Sequence, residues 1–326
     1  MSQSKRPSAR ERQAADCARF PLLLSSSHDG HAEHRLFEAV ETAQLYFDTD
    51  AARRALQELK WRSRNEGSST PLGSTGWFFF LSYEAAACFL PDWCELPADP
   101  TFPLLGLQRV RLVEHSREEL PRCSPRGLLP RTAWQEEPER GFLQGVGRIQ
   151  DYILAGDIYQ ANLSRRWQAR AGDTDSSEIY LRLLQNNPAP FAARAVLPGF
   201  EILSSSPERL FELRGNSLRT QPIAGTRPRG REKSEDERLR RDLAEHPKEI
   251  AEHLMLVDLE RNDLGRICEV GSVKVPRLMS IEPFRSVQHI VSEVSGRISA
   301  GTGLAAILAA VFPGGTITGC PKVRCM

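Results

Sequence analysis

The segment that most constrains the fold runs over residues 246–266, HPKEIAEHLMLVDLERNDLGR. Pro247 suits the first position of a helix, where its missing N–H costs nothing, and Gly265 suits a left-handed residue that ends one. Residues 254–259 are apolar nearly all round apart from Asp258. The segment therefore predicts one helix that is covered by protein on more than one side.

Acidic residues on this predicted helix are the first candidate functional groups. At about 100° per residue, one stripe contains Glu249, Glu252, Leu256, Glu260 and Asp263. A carboxylate on a mostly buried helix has to be paired or bound to a cation, because an isolated buried charge is costly. Glu249 and Glu252 could both reach one hard cation such as Mg²⁺. The alternative is that both lie on a solvated edge, as acidic helix faces commonly do.

Composition excludes several classes of protein. The chain has 326 residues, with 43 Lys and Arg against 42 Asp and Glu, so no overall field would attract nucleic acid or an anionic membrane. No apolar run reaches transmembrane length, and we expect no secretory leader. Seven cysteines without a CxxC pair argue against a disulfide framework or a zinc site and favour the cytoplasm.

The first part of the chain is predicted to hold a tail and an N-terminal region. Residues 1–19 are rich in Ser, Arg and Lys and predict a mobile tail. The N-terminal region, residues 20–138, shows strand patterns at 20–24, 76–83 and 107–114 and helix patterns at 33–46 and 51–62. Its end is marked by four prolines between residues 121 and 138, after which we place a catalytic region, residues 139–326.

The catalytic region carries further element patterns. A helix is predicted over residues 142–153, and Ser234 with Glu237 predicts a capping box for another. Strands are predicted over residues 158–164, 200–205, 209–213, 217–220, 273–275 and 284–297. Gln160 and Asn162 share a face of the first of these strands, where their amides either orient a polar substrate or complete hydrogen bonds.

Polar residues at the ends of these strands are candidates for a binding site. Glu208 lies at a junction between strands and is either an ordinary turn residue or a carboxyl group that faces a cleft. Residues 222–230, PIAGTRPRG, combine a glycine that permits close backbone approach with Thr226, Arg227 and Arg229, a plausible seat for an organic acid. His289 lies among apolar residues and is either a core residue or a catalyst.

A glycine-rich loop, residues 313–322 (PGGTITGCPK), precedes a predicted helix that begins at Pro321. The free N–H groups at such a junction favour an anion. The loop has no P-loop ending, and no GxGxxG follows a strand, so the common nucleotide-binding motifs are absent from the sequence.

The segments GDIYQANLS, SSSPERLF, PIAGTRPRG, KEIAEHLMLVDLERNDLGRI, EPFRSVQHIVS and FPGGTITGCPKVRCM together resemble the chorismate-utilising enzymes. This group contains anthranilate synthase component I, aminodeoxychorismate synthase component I, and the isochorismate and salicylate synthases. The resemblance is strong over residues 156–326 and loose before them, through GWFFFLSYE. It implies an α+β fold of large antiparallel sheets packed face to face with helices outside, here incomplete at the C-terminus.

The resemblance also implies roles for the acidic residues and the histidine. Glu252 matches a family Mg²⁺ ligand, and Glu249 matches its neighbour at the metal, which would hold the ring carboxylate of chorismate. Glu208 and His289 are the catalytic candidates. Glu208 matches the carboxyl group that protonates the departing C4 hydroxyl, a role that needs a raised pKa, and His289 matches a position in the substrate pocket.

Gln160, Gly225, Thr226 and Thr316 are the substrate-binding candidates that the resemblance implies. Gln160 stands where the water-using relatives carry a lysine base, so the resemblance favours ammonia over water as the nucleophile. Amine-adding members of the family receive ammonia from a separate glutamine amidotransferase, and such a partner is therefore implied.

Two amine-adding branches fit the resemblance. The sequences of the segments DIYQANLS, EPFRSVQHIVS and PGGTITG favour a resemblance to aminodeoxychorismate synthase component I, which acts in para-aminobenzoate and folate biosynthesis. Ala224 stands where that branch has a nucleophilic lysine in PIKGT; anthranilate synthase component I, in tryptophan biosynthesis, shows alanine there, which is the alternative. Family members also continue beyond the position of Met326, so a further hypothesis is a catalytically silent fragment that only binds a partner.

Overall fold

A computed structural model describes residues 7–28, 31–59, 70–90, 99–121, 134–170, 172 and 174–326. The strands in these ranges are β1 (Leu22–His28), β2 (His31–Ala39), β3 (Gln44–Tyr46), β4 (Thr75–Leu81), β5 (Leu105–Glu119), β6 (Trp134–Glu136), β7 (Gln160–Ala161), β8 (Trp167–Ala169), β9 (Phe191–Leu197), β10 (Phe200–Ser206), β11 (Arg209–Arg214), β12 (Ser217–Gln221), β13 (Ile223–Pro228), β14 (Lys274–Pro283), β15 (Val287–Arg297) and β16 (Gly319–Cys320). The helices are α1 (Ala9–Ala15), α2 (Thr49–Glu58), α3 (Glu139–Leu154), α4 (Ser176–Asn186), α5 (Lys233–Glu245), α6 (Pro247–Gly265), α7 (Leu304–Val311), α8 (Gly315–Thr318) and α9 (Lys322–Cys325), and a 3₁₀ helix spans Tyr83–Cys88.

Two large antiparallel sheets organise the chain. The first has the strand order β10-β9-β1-β2-β5-β3, with β4 also paired to β5, and the second has the order β11-β12-β15-β13, with β14 paired to β15. Arg209 of the second sheet lies over the ring of Phe191 of the first, 5.1 Å from its centroid. The predicted α+β class with large antiparallel sheets is confirmed.

The predicted N-terminal and catalytic regions share the first sheet. β9 and β10 follow the proline-rich stretch in the chain, yet β9 pairs with β1 through the register Leu22↔Ala195. Residues 122–133 of that stretch, and residues 60–62 of a predicted helix, lie outside the described residues. None of the described helices is both long enough and apolar enough to cross a membrane.

The predicted helix over residues 33–46 is wrong, because this segment forms β2 and β3. In β2 the side chains of Ala32, His34 and Leu36 are buried while those of Glu33 and Arg35 are exposed. This alternation has the period of a strand with one face on the core. β2 also pairs with β1 on one side and β5 on the other, so its backbone groups are satisfied by the sheet.

The predicted mobile tail is wrong for the residues that form α1. Ser8 and Glu11 form a capping box at its start, in which each side chain accepts a hydrogen bond from the backbone N–H of the other residue. Ala9 is fully buried in a cluster with Leu23 and Leu36 of the first sheet. Gln13 is also fully buried and donates a hydrogen bond to the Arg194 carbonyl of β9, so apolar and polar contacts together anchor this mostly polar segment.

α6 lies as predicted, covered by protein on more than one side, and Pro247 occupies its first turn. Val257 and Leu264 of α6 pack with α7 and the second sheet, and Leu256 and Leu259 pack with Ala224 of β13. α7 in turn contributes to the apolar clusters of both sheets. α6 is therefore held against the second sheet, with its acidic residues at fixed places.

Two predicted helix ends are wrong. Gly265 is the last residue of α6 and does not have a positive φ, and Arg266, which follows it, has right-handed helical φ and ψ. α5 begins after Glu232 with no side-chain cap, so Ser234 and Glu237 do not form a capping box. The predicted strands at 200–205, 209–213 and 217–220 are confirmed as β10, β11 and β12, whereas only Gln160–Ala161 of the predicted strand at 158–164 pair.

Candidate active site

Glu249 and Glu252 lie near the start of α6, and both carboxylates have protein partners. Glu249 Oε1 accepts a hydrogen bond from Arg227 Nη1 at 3.0 Å, and its side chain is only 15% exposed. Glu252 Oε1 accepts a hydrogen bond from Gln160 Nε2 at 2.7 Å. The alternative of a solvated edge is therefore wrong for Glu249, and Glu252 is half-buried beside β7.

β13 and β15 form the wall of the site that faces α6. Thr226 and His289 are direct partners in the register of these strands, so their side chains lie side by side. Thr226 Oγ1 and His289 Nδ1 are 2.9 Å apart. Burial lowers the pKa of His289, while a hydrogen bond to the Gly225 backbone and the charge of Glu282 act in the opposite direction. The imidazole is thus a neutral group at pH 7.

Gly225 brings the backbone of β13 close to Glu249. Its φ is +89°, and a Cβ built there would lie 2.9 Å from Ile290 Cδ1 and 3.3 Å from Glu249 Oε2. A side chain at this position would be strained and would crowd the carboxylate. The preceding residue, Ala224, packs in an apolar cluster and offers no nucleophile.

Glu208 lies in the junction between β10 and β11 and is half-buried. Its Oε1 accepts a hydrogen bond from the Ile223 N–H at 3.3 Å, which ties it to the start of β13. Burial raises the pKa of Glu208, although the hydrogen bonds from the Thr316 hydroxyl and the Ile223 N–H oppose this rise. Glu208 is therefore a carboxyl group that keeps its proton to higher pH than an exposed glutamate does.

The glycine-rich loop carries Thr316 and lies against β7. β16 pairs with β7 through Cys320↔Gln160, and Asn162 Nδ2 donates a hydrogen bond to the Thr316 carbonyl at 2.9 Å. Gly319 has φ +137°, and a Cβ there would lie 2.3 Å from the Gln160 carbonyl oxygen. A glycine is thus required for the loop to approach the strand that carries Gln160.

The structure therefore brings the predicted site residues together. Contacts join Gln160 to Glu252, Thr226 to His289, and Glu208 to Thr316. The shared elements α6, β13 and the glycine-rich loop connect these pairs with Glu249 and Gly225.

Arg227 and Arg229 do not form the predicted binding site for an organic acid, because both guanidinium groups are already paired with carboxylates of the chain. Arg227 Nε donates a hydrogen bond to Asp242 at 2.7 Å in addition to its bond to Glu249. Arg229 donates two hydrogen bonds of 2.8 Å to the carboxylate of Asp236. Since Asp236 and Asp242 both belong to α5, the two arginines tie that helix to the sheet.

Sequence reasoning placed Glu260 and Asp263 on the acidic stripe but missed their partner, Lys322. All three side chains are buried, and Lys322 Nζ donates hydrogen bonds to Asp263 Oδ2 at 2.6 Å and to the Ala310 carbonyl at 3.3 Å. The anion site at this junction stays a prediction; the ammonium group of Lys322 beside it is paired with Asp263.

Burial raises the pKa of Glu260 to about 7, and the neighbouring charge of Asp263 adds to this rise. Because the folded-state pKa lies above the ordinary value of 4.5, Glu260 favours folding at low pH, and this contribution is lost as the pH rises toward and through 7.

We expect the free energy of unfolding of Glu260→Gln, measured relative to the wild type, to increase by about 2–3 kcal/mol when the pH is raised from 5 to 8. The reason is that glutamine has no charge to bury. Urea unfolding at the two pH values measures the difference, with Glu237→Gln on the exposed face of α5 as the control. A stability difference that does not change with pH would contradict the raised pKa.

The two carboxylates on α6 fit a divalent cation of the magnesium type. Among the residues that the structure describes, no group of three or more His, Cys, Asp or Glu side chains could hold a metal ion. Mg²⁺, however, is commonly held by one or two carboxylates, with water and substrate oxygens completing its octahedron. Glu249 and Glu252 offer such a pair of hard oxygen ligands.

Comparison with known proteins identifies the family of the chain. The sequence profile of the family described as chorismate binding enzyme matches residues 21–326. Aminodeoxychorismate synthase component 1 of Bacillus subtilis (strain 168) is 48% identical over 211 residues, which are 64% of this chain and 45% of that protein. Anthranilate synthase component 1 of the same organism is 46% identical over 185 residues, 57% of this chain and 36% of that protein. The chain thus spans less than half the length of these curated relatives.

Solved structures show the same fold. The crystal structure of anthranilate synthase component I from Streptococcus pneumoniae TIGR4 superimposes with a TM-score of 0.67 at 23% identity, covering 100% of this chain and 78% of that one. The menaquinone-specific isochorismate synthase from Escherichia coli superimposes with a TM-score of 0.60 at 15% identity, covering 100% of this chain and 75% of that one. At these identities the likeness concerns the fold.

Proposed function

The chain belongs to the chorismate binding enzyme family, and from this premise we propose that it is an aminodeoxychorismate synthase component I. In this proposal ammonia replaces the C4 hydroxyl of chorismate to give 4-amino-4-deoxychorismate, for para-aminobenzoate and folate biosynthesis. The observation that carries the proposal is the position of Glu208, a carboxyl group with a raised pKa that is bonded to Thr316 and to β13 beside the acidic start of α6.

Glu208 is the proton donor in the proposed reaction. The bond from nitrogen to the ring forms, the C4–O bond breaks, and the departing hydroxyl takes the Glu208 proton and leaves as water. A donor of this kind needs a pKa near the working pH, which burial of Glu208 favours. The hydrogen bond from the Ile223 N–H to Oε1 fixes the orientation of the carboxyl group.

Glu249 and Glu252 would hold Mg²⁺. When bound, the metal would fix the ring carboxylate of the substrate and withdraw charge from the ring as the hydroxyl leaves. Gln160 orients Glu252 by its hydrogen bond, and its neutral amide cannot remove a proton from water. This supports ammonia as the nucleophile, supplied in the cell by a glutamine amidotransferase partner.

Ala224 supports the second candidate, anthranilate synthase component I. Its methyl group lies among Leu256 and Leu259 and cannot form a covalent adduct with the ring, so a double displacement through this position is not open to the chain. Relatives that bear the anthranilate synthase name match it at 44–47% identity, and an anthranilate synthase component I-like protein matches it at 49%. The aminodeoxychorismate synthases of Bacillus subtilis and Klebsiella aerogenes match it at 48% and 44%, so identity does not separate the two branches. We favour aminodeoxychorismate as the product because the sequences of the segments around Gln160, His289 and Thr316 resemble those of that branch.

The product decides between the two branches. We expect the chain, incubated with chorismate, Mg²⁺ and ammonium, to form 4-amino-4-deoxychorismate, which gives para-aminobenzoate only after the downstream lyase is added. Chromatography with mass detection before and after the lyase measures this, and a reaction with a chelator in place of Mg²⁺ is the control. Anthranilate as the sole product would assign the chain to the other branch, and no product would contradict catalysis by this polypeptide.

A further inference from the structure

Arg227 contacts the proposed metal site directly, but the proposed reaction gives it no role. Its Nη1 donates hydrogen bonds of 3.0 Å both to Glu249 Oε1 and to the Thr226 carbonyl, and its Nε donates one of 2.7 Å to Asp242. The side chain is 20% exposed. The hydrogen bonds to Asp242 and Glu249 raise the pKa of Arg227, so the guanidinium stays charged.

The two oxygens of Glu249 have different surroundings. Oε1 is bonded to Arg227, whereas Oε2 is the oxygen nearest to Gly225, at 3.3 Å from the position a Cβ would take. The backbone there is continuous with Thr226, which contacts His289. The bond to Arg227 therefore fixes the rotation of the carboxylate and leaves Oε2 on the side of the predicted substrate residues.

We propose that Arg227 is a positioning residue of the metal site, which holds Glu249 Oε1 so that Oε2 is available to the cation. This inference rests on the proposed function, since it assumes that Glu249 binds a divalent ion. Mg²⁺ tolerates little departure from octahedral geometry, so a carboxylate that is already oriented favours binding. The guanidinium suits this task because its planar fork reaches two carboxylates at once.

Charge and orientation predict opposite effects of removing Arg227. A positive group beside a cation site repels the ion, and without Arg227 the carboxylate of Asp242 would add negative charge near the site. On charge alone, Arg227→Gln would bind a divalent ion more tightly. If orientation dominates, as we propose, the same substitution weakens binding.

The test is a titration of the chain with Mn²⁺ alone. Binding is measured by calorimetry and by the electron paramagnetic resonance signal of free Mn²⁺. We expect Arg227→Gln to bind Mn²⁺ about 10–100-fold more weakly than the wild type, the usual effect of losing a group that orients a metal ligand. Arg229→Gln is the matched control, because Arg229 lies two residues along the chain and bonds Asp236, and its affinity should stay at the wild-type value. Circular dichroism checks that each variant is folded.

Arg227→Lys provides a second variant that keeps the charge and most of the packing. Lysine cannot bridge Glu249 and Asp242 with a planar fork, so we expect weaker Mn²⁺ binding here as well. Unchanged or tighter binding by Arg227→Gln, or wild-type affinity in Arg227→Lys, would overturn the inference while leaving the metal site in place. A wild-type chain that does not bind Mn²⁺ would contradict the metal site of the proposed function itself and, with it, this inference.

Discussion

Glutamine in place of Glu208 is expected to lower the rate of product formation from chorismate by a factor of about 10²–10⁴, the usual contribution of a positioned proton donor. The variant keeps an oxygen that can accept the hydrogen bond from the Ile223 N–H, so the junction between β10 and β11 should stay in place. What it loses is the acidic proton that burial holds on the carboxyl group. The measurement is kcat with saturating chorismate, Mg²⁺ and ammonium.

The dependence of the rate on pH provides a second readout for Glu208. The wild-type rate should fall as the pH rises through the raised pKa of Glu208, because the donor then loses its proton, and the variant should lack this decline. Glu237→Gln, on the exposed face of α5, is the control for loss of a carboxylate and should keep the wild-type rate. A Glu208→Gln variant with more than a tenth of the wild-type rate would show that the proton comes from another group.

Binding of Mn²⁺ separates a chemical role of Glu208 from a structural one. Glu208 contacts Thr316 and the start of β13, and no contact with Glu249 or Glu252 is needed for its proposed role. Glu208→Gln should therefore bind Mn²⁺ with the affinity of the wild type. Weaker binding together with a slower rate would indicate that the substitution had disturbed the site as a whole.

Local patterns predicted α6 and the identity of its acidic residues. Pro247 and the continuous apolar turns define the helix, and the spacing of the acids puts them on one stripe. The same stripe contains both Glu249, which meets Arg227, and Glu260, which is buried next to Asp263. The pattern predicted that these carboxylates need partners, but it could not say which partner each would have.

The partners could not be predicted because they come from distant parts of the chain. Lys322 follows Asp263 by 59 residues, and Gln160 precedes Glu252 by 92, so neither pair leaves a periodic pattern. The resemblance supplied the set of site residues and not the contacts that orient them. The charge of Arg227 is visible in the sequence and predicts a binding site for an organic acid, whereas its hydrogen bond to Glu249 is visible only in the structure.

The errors in the N-terminal region have the same physical origin. The segment that forms β2 contains residues that suit a helix, and only its pairing with β1 and β5 makes a strand of it. The polar composition of α1 suggests a tail, although the buried side chains of Ala9 and Gln13 hold it on the first sheet. In both places contacts made far along the chain override local preference.

Methionine in place of Lys322 is expected to destabilise the chain by about 3–5 kcal/mol, because it leaves the Asp263 carboxylate buried without a counter-charge. The side chains of Lys322 and Asp263 are only 8% and 5% exposed, so the carboxylate depends on this ammonium group for compensation of its burial. Urea unfolding at pH 8 measures the loss, and Lys248→Met on the exposed side of α6 is the control.

The double variant Asp263→Leu with Lys322→Met should recover most of the stability that Lys322→Met loses, since an apolar pair needs no counter-charge and replacing a buried ion pair is often neutral. The two single changes are then strongly coupled, and the coupling energy in the cycle measures the penalty of the unpaired charge. Lys322 also bonds the Ala310 carbonyl at the end of α7, so it joins the glycine-rich loop to both α6 and α7. The double variant removes the unpaired charge but still leaves the Ala310 carbonyl without its donor. If the double variant is as unstable as Lys322→Met, the hydrogen bond to Ala310, and not the ion pair, anchors the loop that carries Thr316.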